Sequence, residues 1–405
     1  MINRAYKYRL YPNEIQAEFL NQNFGCARFL WNQYVSIFNS YSKMGPNLPI
    51  TEMLFKKNPE YSWLNDVMSH TLQQVTRDFF GLMKKYSSDT RKTKIGRPQF
   101  KKKGVSKDSF RIPGTALAWK NFDGIANGFM KLPKMDSIKI VIDRPFTGNI
   151  RNITVSKNKA GQYFVSVLVK EEVKSFQRTK RTIGIDLGIT DFAVLSDGTK
   201  IGNPKYLKES QLEVKKHQRH LSRKVKGSNR YNKQRLKLAR AHNKVVNKRG
   251  WYQHNLSTWI VKEFDVICVE NLNVKGMVKN HCLARAISDS AWSSFTTKLQ
   301  YKAAWYGKTY HKIDRFYASS KTCSCCSNKV KQLPLDIRVW TCDNCGTELD
   351  RDVNAAINIH NKGLMNLYSL KSAELPDYRR GAEVRPSLEA IHPVMASAMK
   401  RLAFL

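Results

Sequence analysis

The stretch TIGIDLGITDFAVL, residues 182–195, decides how the rest of the chain is read. Apolar side chains lead up to Asp186, a turn around Gly188 interrupts them, and they resume from Asp191 to Leu195. This predicts two short buried strands, 182–187 and 191–195, joined as a hairpin. A carboxylate between Ile185 and Leu187 is costly to bury unpaired, so Asp186 needs a cation or an acceptor role. Asp191 lies beyond the tight turn and reads as a turn residue.

Two further acids stand in comparable settings. Glu270 ends the apolar strand FDVICVE, residues 264–270. Asp352 opens the helix expected from about 352 to 368, in the run LDRDVNAAINI. Asp350 is its rival; as the N-cap of that helix it would leave Asp352 to face a metal. Two acids from adjacent strands and one from a helix packed on them offer the hard oxygen ligands that Mg²⁺ prefers. Two such ions, about 3.5–4 Å apart, stabilise the attacking and leaving oxygens of an in-line phosphoryl displacement.

The cysteines form a second constellation. Five of the eight lie within residues 323–345. Cys323 and Cys326, then Cys342 and Cys345, have the C-x2-C-x15-C-x2-C spacing of a four-thiolate zinc ribbon. A closed four-sulfur site leaves no open coordination position, so the zinc is expected to be structural. Cys325 is surplus, either a bystander or an alternative ligand. Cys26, Cys268 and Cys282 read as buried apolar residues. The clustering fits a metal site in a reducing compartment, not a disulfide framework.

Charge narrows the partners. The 405 residues carry 70 Lys and Arg against 32 Asp and Glu, a formal net charge of +38. An ordinary small-molecule enzyme is not the default for such a chain; a polyanion is, and nucleic acid before a membrane surface. Residues 91–107 hold eight Lys or Arg and no acid, and residues 205–250 hold sixteen with two Glu. Like-charge pairs along such a helix repel, and a bound phosphate backbone relieves the repulsion. The run Arg28–Trp31 could offer stacking platforms, although core packing is favoured. No segment approaches the ~18 apolar residues of a membrane span. The opening MINRAYKYRLYPNEIQ has no apolar core of the signal-peptide kind. The expected location is the cytoplasm, with no membrane partner.

The length suggests two to four domains. Residues 3–10 alternate as a strand, and residues 13–42 and 65–86 carry apolar positions at helical spacing. Strands are expected at 137–143, 152–157 and 161–169. The expectation is a small β-barrel that begins with residues 3–10 and carries an inserted helical module. From residue 181 the pattern becomes α/β: helices divided near Gly227, the strand 264–270, a helix at 289–307, a strand at 309–317, then the cysteine insert. The tail 371–405 shows no clear organisation.

Together, GIDLGITDFAVLSDG, VENLNVKGM, AISDSAWSSF, the SSKTC…CDNCG ribbon and LDRDVNAAINI resemble the TnpB family. That family is encoded by bacterial and archaeal insertion sequences and is related to compact type V CRISPR effectors. The openings YKYRLYPNEIQAEFLNQNFGCARFLWN and GRPQFKKKGVSKDSFR are similar to its amino-terminal half. The resemblance covers about residues 1–365 in order. It implies a multidomain chain of α/β and α+β parts: an RNase H-like (RuvC) nuclease domain with an inserted zinc ribbon, preceded by a wedge-type β-barrel carrying a helical recognition module.

On that resemblance the wedge takes 1–10 and 105–180, the recognition module 11–104, the RuvC domain 181–315 and 347–370, and the ribbon 316–346. The RuvC acids fall on Asp186, Glu270 and Asp352, the zinc ligands on Cys323, Cys326, Cys342 and Cys345. The implied cofactors are two Mg²⁺ ions, Zn²⁺ and a guide RNA; the implied partner is double-stranded target DNA with a short flanking motif. The protein would act as a monomer within a ribonucleoprotein. Gln73, Gln74 and Arg77 are candidates for reading the motif, because Gln and Arg suit base edges. Arg97, Lys101, Lys102, Lys103, Arg223 and Lys224 are candidates for phosphate contacts. The expected activity is RNA-guided cleavage of both DNA strands. The alternatives are a nuclease-inert DNA-binding repressor, RNA-guided or not, and a transposase that joins strands with the same carboxylates.

Overall fold

Alternation of aromatic and charged side chains makes Ile2–Tyr11 a strand, β1, with Tyr6, Tyr8 and Leu10 buried on one face. Pro12 ends it. Asn13 and Gln16 then bond reciprocally, Asn13 Oδ1 accepting from the Gln16 amide at 2.8 Å and Gln16 Oε1 from the Asn13 amide at 3.1 Å. This capping box starts helix α1, Glu14–Ser40. Helices α2 (Glu52–Lys57) and α3 (Ser69–Ser87) follow. Strands β2 (Asp108–Pro113), β3 (Phe129–Met130), β4 (Ile138–Val141), β5 (Asn149–Lys157) and β6 (Tyr163–Glu171) complete a six-stranded antiparallel sheet of order β2-β5-β6-β1-β4-β3. Among the described residues no ladder joins its ends, β2 and β3.

These elements belong to a computed structural model that describes residues 1–40, 51–87, 96–114, 128–334 and 336–369. Arg91, Lys92 and Lys94 of the basic tract, and the tail 371–405, lie outside the described residues. The chain divides into two compact units, one of residues 1–174 and 211–245 and one of 175–210 and 246–405.

In the first unit, helices and sheet share one continuous core. Leu20, Phe24, Ala27, Leu30 and Tyr34 recur along one face of α1 and are buried. The Phe24 ring lies 5.3 Å from that of Phe110 on β2 and 6.4 Å from that of Tyr163 on β6. The helical insert is therefore packed onto the sheet and does not form a separate core.

The second unit begins with the hairpin expected at 182–195. Strands β7 (Thr182–Asp186) and β8 (Asp191–Leu195) pair antiparallel, with β9 (Lys200–Gly202) beside β8. The short helix α4, Tyr206–Glu209, follows. Next come α5 (Gln211–Ser222) and α6 (Asn229–Glu263), divided near Gly227 as expected. Residues 211–245 pack with the first unit, although the sequence places them in the nuclease part. The reason is visible at the β5–β6 turn: Asn243 Nδ2 donates to Gln162 Oε1 at 3.0 Å.

Strand β10 (Val266–Val269) is buried at every position and is parallel to β7. Helices α7 (Val274–Met277), α8 (Ala284–Ser290) and α9 (Trp292–Trp305) lead to β11 (Thr309–Lys312), parallel to β10. The helix expected at 289–307 is thus two, broken at Ala291, whose φ is 50°. The strand expected at 309–317 stops early because Asp314 Oδ1 accepts from the Phe316 amide at 2.8 Å and turns the chain. A two-stranded ribbon, β12 (Val339–Thr341) and β13 (Glu348–Asp350), precedes α10, Arg351–Ser369. The mixed sheet has the order β11-β10-β7-β8-β9. Helix α10 lies close across it because Gly184 and Gly363 carry no side chain; a Cβ at Gly184 would overlap the Ala356 carbonyl, and one at Gly363 the Cys268 sulfur. No helix among the described residues is long and apolar enough to cross a membrane.

Candidate active site and metal centre

Register brings the first two acids to one end of the sheet. Ile185 on β7 pairs in parallel with Val269 on β10, so Asp186 and Glu270 are the next residues on neighbouring strands. Asp352 is the second residue of α10, which packs on β7 through Gly184. Asp350 takes the cap position: its Oδ1 accepts from the amides of Asp352 at 3.1 Å and Val353 at 3.0 Å. Lys200 Nζ holds the other oxygen at 2.6 Å. Burial pushes the Asp350 carboxyl up, but Lys200 and the two amides outweigh it and hold the group below its ordinary value. Asp191 opens β8 opposite Gly202, outside the trio.

Asp186 feels the other two acids. The Asp186 carboxyl is pushed well above the usual carboxylate range, first by burial, then by the charges of Glu270 and Asp352. The Leu187 amide and the Arg351 guanidinium only partly offset this. Burial also raises Glu270, opposed by the Ser319 hydroxyl, which donates to its Oε1 at 2.8 Å. Arg338 Nη1 donates to Asp352 Oδ2 at 3.3 Å. Asp186 and Glu270 both keep some exposure to solvent. The trio does not reach the tighter spacing of the cysteines, whose ligand atoms all lie within 4.8 Å of one another. Crowded like charges, hard oxygens and solvent access together fit divalent cations better than they fit a structural role.

The thiols of Cys323, Cys326, Cys342 and Cys345 meet as the spacing predicts. Sγ–Sγ separations are 3.7 Å for Cys323–Cys345 and 3.6 Å for Cys326–Cys342. A tetrahedron with Zn–S bonds of about 2.3 Å has edges of about 3.8 Å, so the cage fits zinc. The Thr347 hydroxyl and amide, with the Cys326 and Cys342 thiols, lower the Cys345 thiol to about 6 against the effect of burial. Cys325 is exposed beside the cage. Cys26 and Cys268 are buried, and burial pushes their thiols up to about 11 and about 12. Cys282 is exposed, against expectation, because it sits in a turn where Asn280 Oδ1 accepts its amide at 3.1 Å.

The candidate nucleic-acid contacts divide by exposure. On α3, Arg77 is exposed, Gln73 half-buried, and Gln74 buried with its amide donated to Asp78 at 2.8 Å. Gln74 and Lys101 line a cavity of about 280 Å³ together with Arg28, Trp31 and Lys107. Lys101 is half-buried with its ammonium 3.8 Å from the Trp31 ring centre. Arg97, Lys102 and Lys103 are exposed, as are Arg223 and Lys224 between α5 and α6. Trp31 packs edge-on against Phe79 at 5.4 Å, which supports the core reading of that run. Sequence reasoning missed Ser319, Arg338, Asn354 and Asn358. Only the two asparagines left a signal, their spacing of four in DRDVNAAINI.

Residues 164–281 match the family model OrfB_IS605, described as "Probable transposase", residues 292–359 a "Cas12f1-like, TNB domain", and residues 1–45 a "Helix-turn-helix domain". A "Putative RNA-guided DNA endonuclease" of Streptomyces pristinaespiralis is 37% identical over 381 residues, 90% of this chain and 90% of that protein. The chain belongs to the TnpB family. A second relative, "Putative RNA-guided DNA endonuclease InsQ" of Escherichia coli K12, is 30% identical over 379 residues, 88% of this chain and 91% of its own length. A chain of the Cas12f1-sgRNA-target DNA complex shares the fold, with a TM-score of 0.51 at 15% identity over 86% of this chain and 83% of that one. The four cysteines of this TnpB-family chain lie inside the matched TNB region. Its described residues 1–40 are one strand and one helix, so the helix-turn-helix description does not fit them.

Proposed function

We propose that the protein is an RNA-guided DNA endonuclease with a RuvC-type, RNase H-like catalytic domain in its second unit. The observation that carries this is the convergence at one end of the mixed sheet: Asp186 and Glu270 follow register-matched residues of β7 and β10, and Asp352 opens the helix that packs on β7. Membership of the family and a net charge of +38 support it. These three carboxylates would hold two Mg²⁺ ions, which, when bound, supply Lewis-acid stabilisation to an in-line phosphodiester displacement. The chain's own part is to fix the acids. Sheet register sets Asp186 beside Glu270, α10 delivers Asp352, and Asp350 keeps the cap so that Asp352 stays available.

The four cysteines hold structural zinc. The basic tracts at 96–107 and 205–250 would hold guide RNA and its heteroduplex with target DNA through phosphate contacts. Arg77, Gln73 and the Gln74-lined cavity would face the flanking motif, within the proposed recognition module of 11–104. The wedge would be formed by 1–10 and 105–180, with its six-stranded sheet curled into a barrel. The protein would act as one copy of the chain in a cytoplasmic ribonucleoprotein.

The test is purification with co-expressed RNA, followed by incubation with DNA matching that RNA and Mg²⁺. Both strands should be cut, and Asp186→Ala should slow cutting by about 10³-fold or more while binding persists; a barrier change of about 4 kcal/mol corresponds to that factor. Cleavage by Asp186→Ala at the parent rate overturns the reading. The "Probable transposase" description of residues 164–281 favours one second reading, strand transfer. Joining of transposon ends to target DNA in the same tube would select it.

A further inference from the structure

We infer that the Ser319 hydroxyl positions Glu270, and that Asn354 and Asn358 tie the turn of Ser319 to the first zinc knuckle and to the helix that carries Asp352. The inference rests on the nuclease reading above and deepens it.

Glu270 follows the end of β10, so sheet register places its backbone but not its carboxylate. Ser319, which is 6% exposed, donates its hydroxyl to Glu270 Oε1 at 2.8 Å. That bond occupies one oxygen and leaves the other open. Ser319 begins the short turn Ser319–Lys321, four residues before Cys323.

Two buried amides hold this turn. Asn358 Nδ2 donates to the Ser319 carbonyl at 2.8 Å and to the Thr322 carbonyl at 2.6 Å. Asn354 Nδ2 donates to the same Thr322 carbonyl at 2.8 Å, and Asn354 Oδ1 accepts from the Ser324 amide at 2.8 Å. Asn354 is 1% exposed and Asn358 4%. Asparagine is a poor helix former and costly to bury unless its amide is bonded. Two of them, four apart on one face of α10 and both engaged on one turn, specify that turn's position. Asp352 lies two residues before Asn354. One helix therefore supplies an acid directly and orients a second through Ser319. The turn runs straight into the knuckle, where the Cys323 amide donates to the Asn328 carbonyl at 2.8 Å and the Ser327 amide to the Cys323 carbonyl at 2.9 Å. Closure of the ribbon thus restrains the group that holds Glu270.

The experiment uses the full chain with its co-expressed guide RNA, comparing parent, Ser319→Ala and Ser319→Thr. Groups that orient a metal ligand are worth about 10–100-fold in affinity or activity. Ser319→Ala should weaken Mn²⁺ binding, followed by electron paramagnetic resonance, by about tenfold or more. It should raise the Mg²⁺ needed for half-maximal cleavage by a similar factor. Ser319→Thr keeps the hydroxyl and should recover both to within about threefold. Zinc content, guide retention and target binding should match the parent throughout. Parent-like Mn²⁺ affinity in Ser319→Ala, failure of Ser319→Thr to recover, or loss of zinc from Ser319→Ala would each overturn the positioning role. If the parent itself neither binds Mn²⁺ nor cuts, the nuclease reading fails and this inference falls with it; a cutting parent with an indifferent Ser319→Ala sinks the inference alone.

Discussion

The cysteine cage and the carboxylate trio, the two proposed cation sites, are built in opposite ways. The cage draws its four sulfurs from residues 323–345, and two tight turns suffice to aim them. The trio draws its oxygens from residues 186, 270 and 352, and nothing local aims them. Strand register, a helix laid on glycine and a hydroxyl from a neighbouring turn do that work. The cage brings four sulfurs together with no position left open, whereas Asp186 and Glu270 keep some exposure and Asp186 bears like charge that its neighbours only partly offset. A site that only has to hold the chain can be local; on the proposed function, one that would admit a substrate strand and hold ions open to it depends on the whole sheet.

The largest expected effect breaks the local site. Cys342→Ser removes one thiolate and should take zinc content, measured by atomic emission, from one per chain to near zero. Structural zinc is worth about 10 kcal/mol or more of folding free energy in small domains. The ribbon should therefore open, and limited proteolysis should cut within 316–346. The sheet core around Ile185, Phe192, Ile267 and Phe295 contains no ribbon residue and should stay protected. A variant whose ribbon resists protease as well as the parent would show that the cage does not depend on its ion.

The same contrast explains what could be read in advance. The cysteine spacing encodes its own geometry, so the ligand set could be read from spacing alone. The buried runs 182–187 and 264–270 and the helix at 352–368 were legible from apolar periodicity, and the acids at their ends from the cost of burying charge. What periodicity cannot carry is pairing. Nothing in INRAYKYRLY says that β1 lies between β6 and β4. Nor does the spacing of α1 say that Phe24 will meet Phe110, which joins the helical insert and the sheet into one core. Residues 211–245 read as a continuation of the α/β region because they follow it; a side-chain contact, Asn243 to Gln162, assigns them to the other unit. Ser319 was silent because a serine before a cysteine knuckle looks like turn chemistry until Glu270 is placed beside it.

An intermediate effect tests the non-local site through its scaffold. Gly184 sits where α10 touches β7, and a methyl group there would overlap the Ala356 carbonyl and crowd His360. Overpacking of this kind costs about 1–3 kcal/mol, and backbone is a less yielding neighbour than a side chain. Gly184→Ala should lower stability to urea by about 3 kcal/mol. Because α10 must shift, the variant should also lose more cleavage than its folded fraction explains, while its zinc content stays at the parent level. Unchanged stability would mean that the helix has room to move and that glycine contact is not what places Asp352.

The smallest effect lies at the joint between the two sites. Asp350 ends β13 of the ribbon and caps α10, two residues before Asp352. Loss of an N-cap costs about 1 kcal/mol, and in a unit of this size that is about 2–4 °C of melting temperature. Asp350→Ala should show that loss. Asp350→Asn keeps an acceptor for the two amides and gives up only the Lys200 pair, which is partly exposed and worth about 0.5 kcal/mol. The asparagine variant should therefore melt close to the parent. Cleavage should follow melting in both, since the cap positions the helix and not the reacting atoms. If Asp350→Asn melts like the parent and yet cuts as poorly as Asp186→Ala, then Asp350 belongs with the acids. The trio would then be a quartet whose fourth member is donated by the ribbon, and the separation between a local structural site and a non-local reactive one would no longer hold.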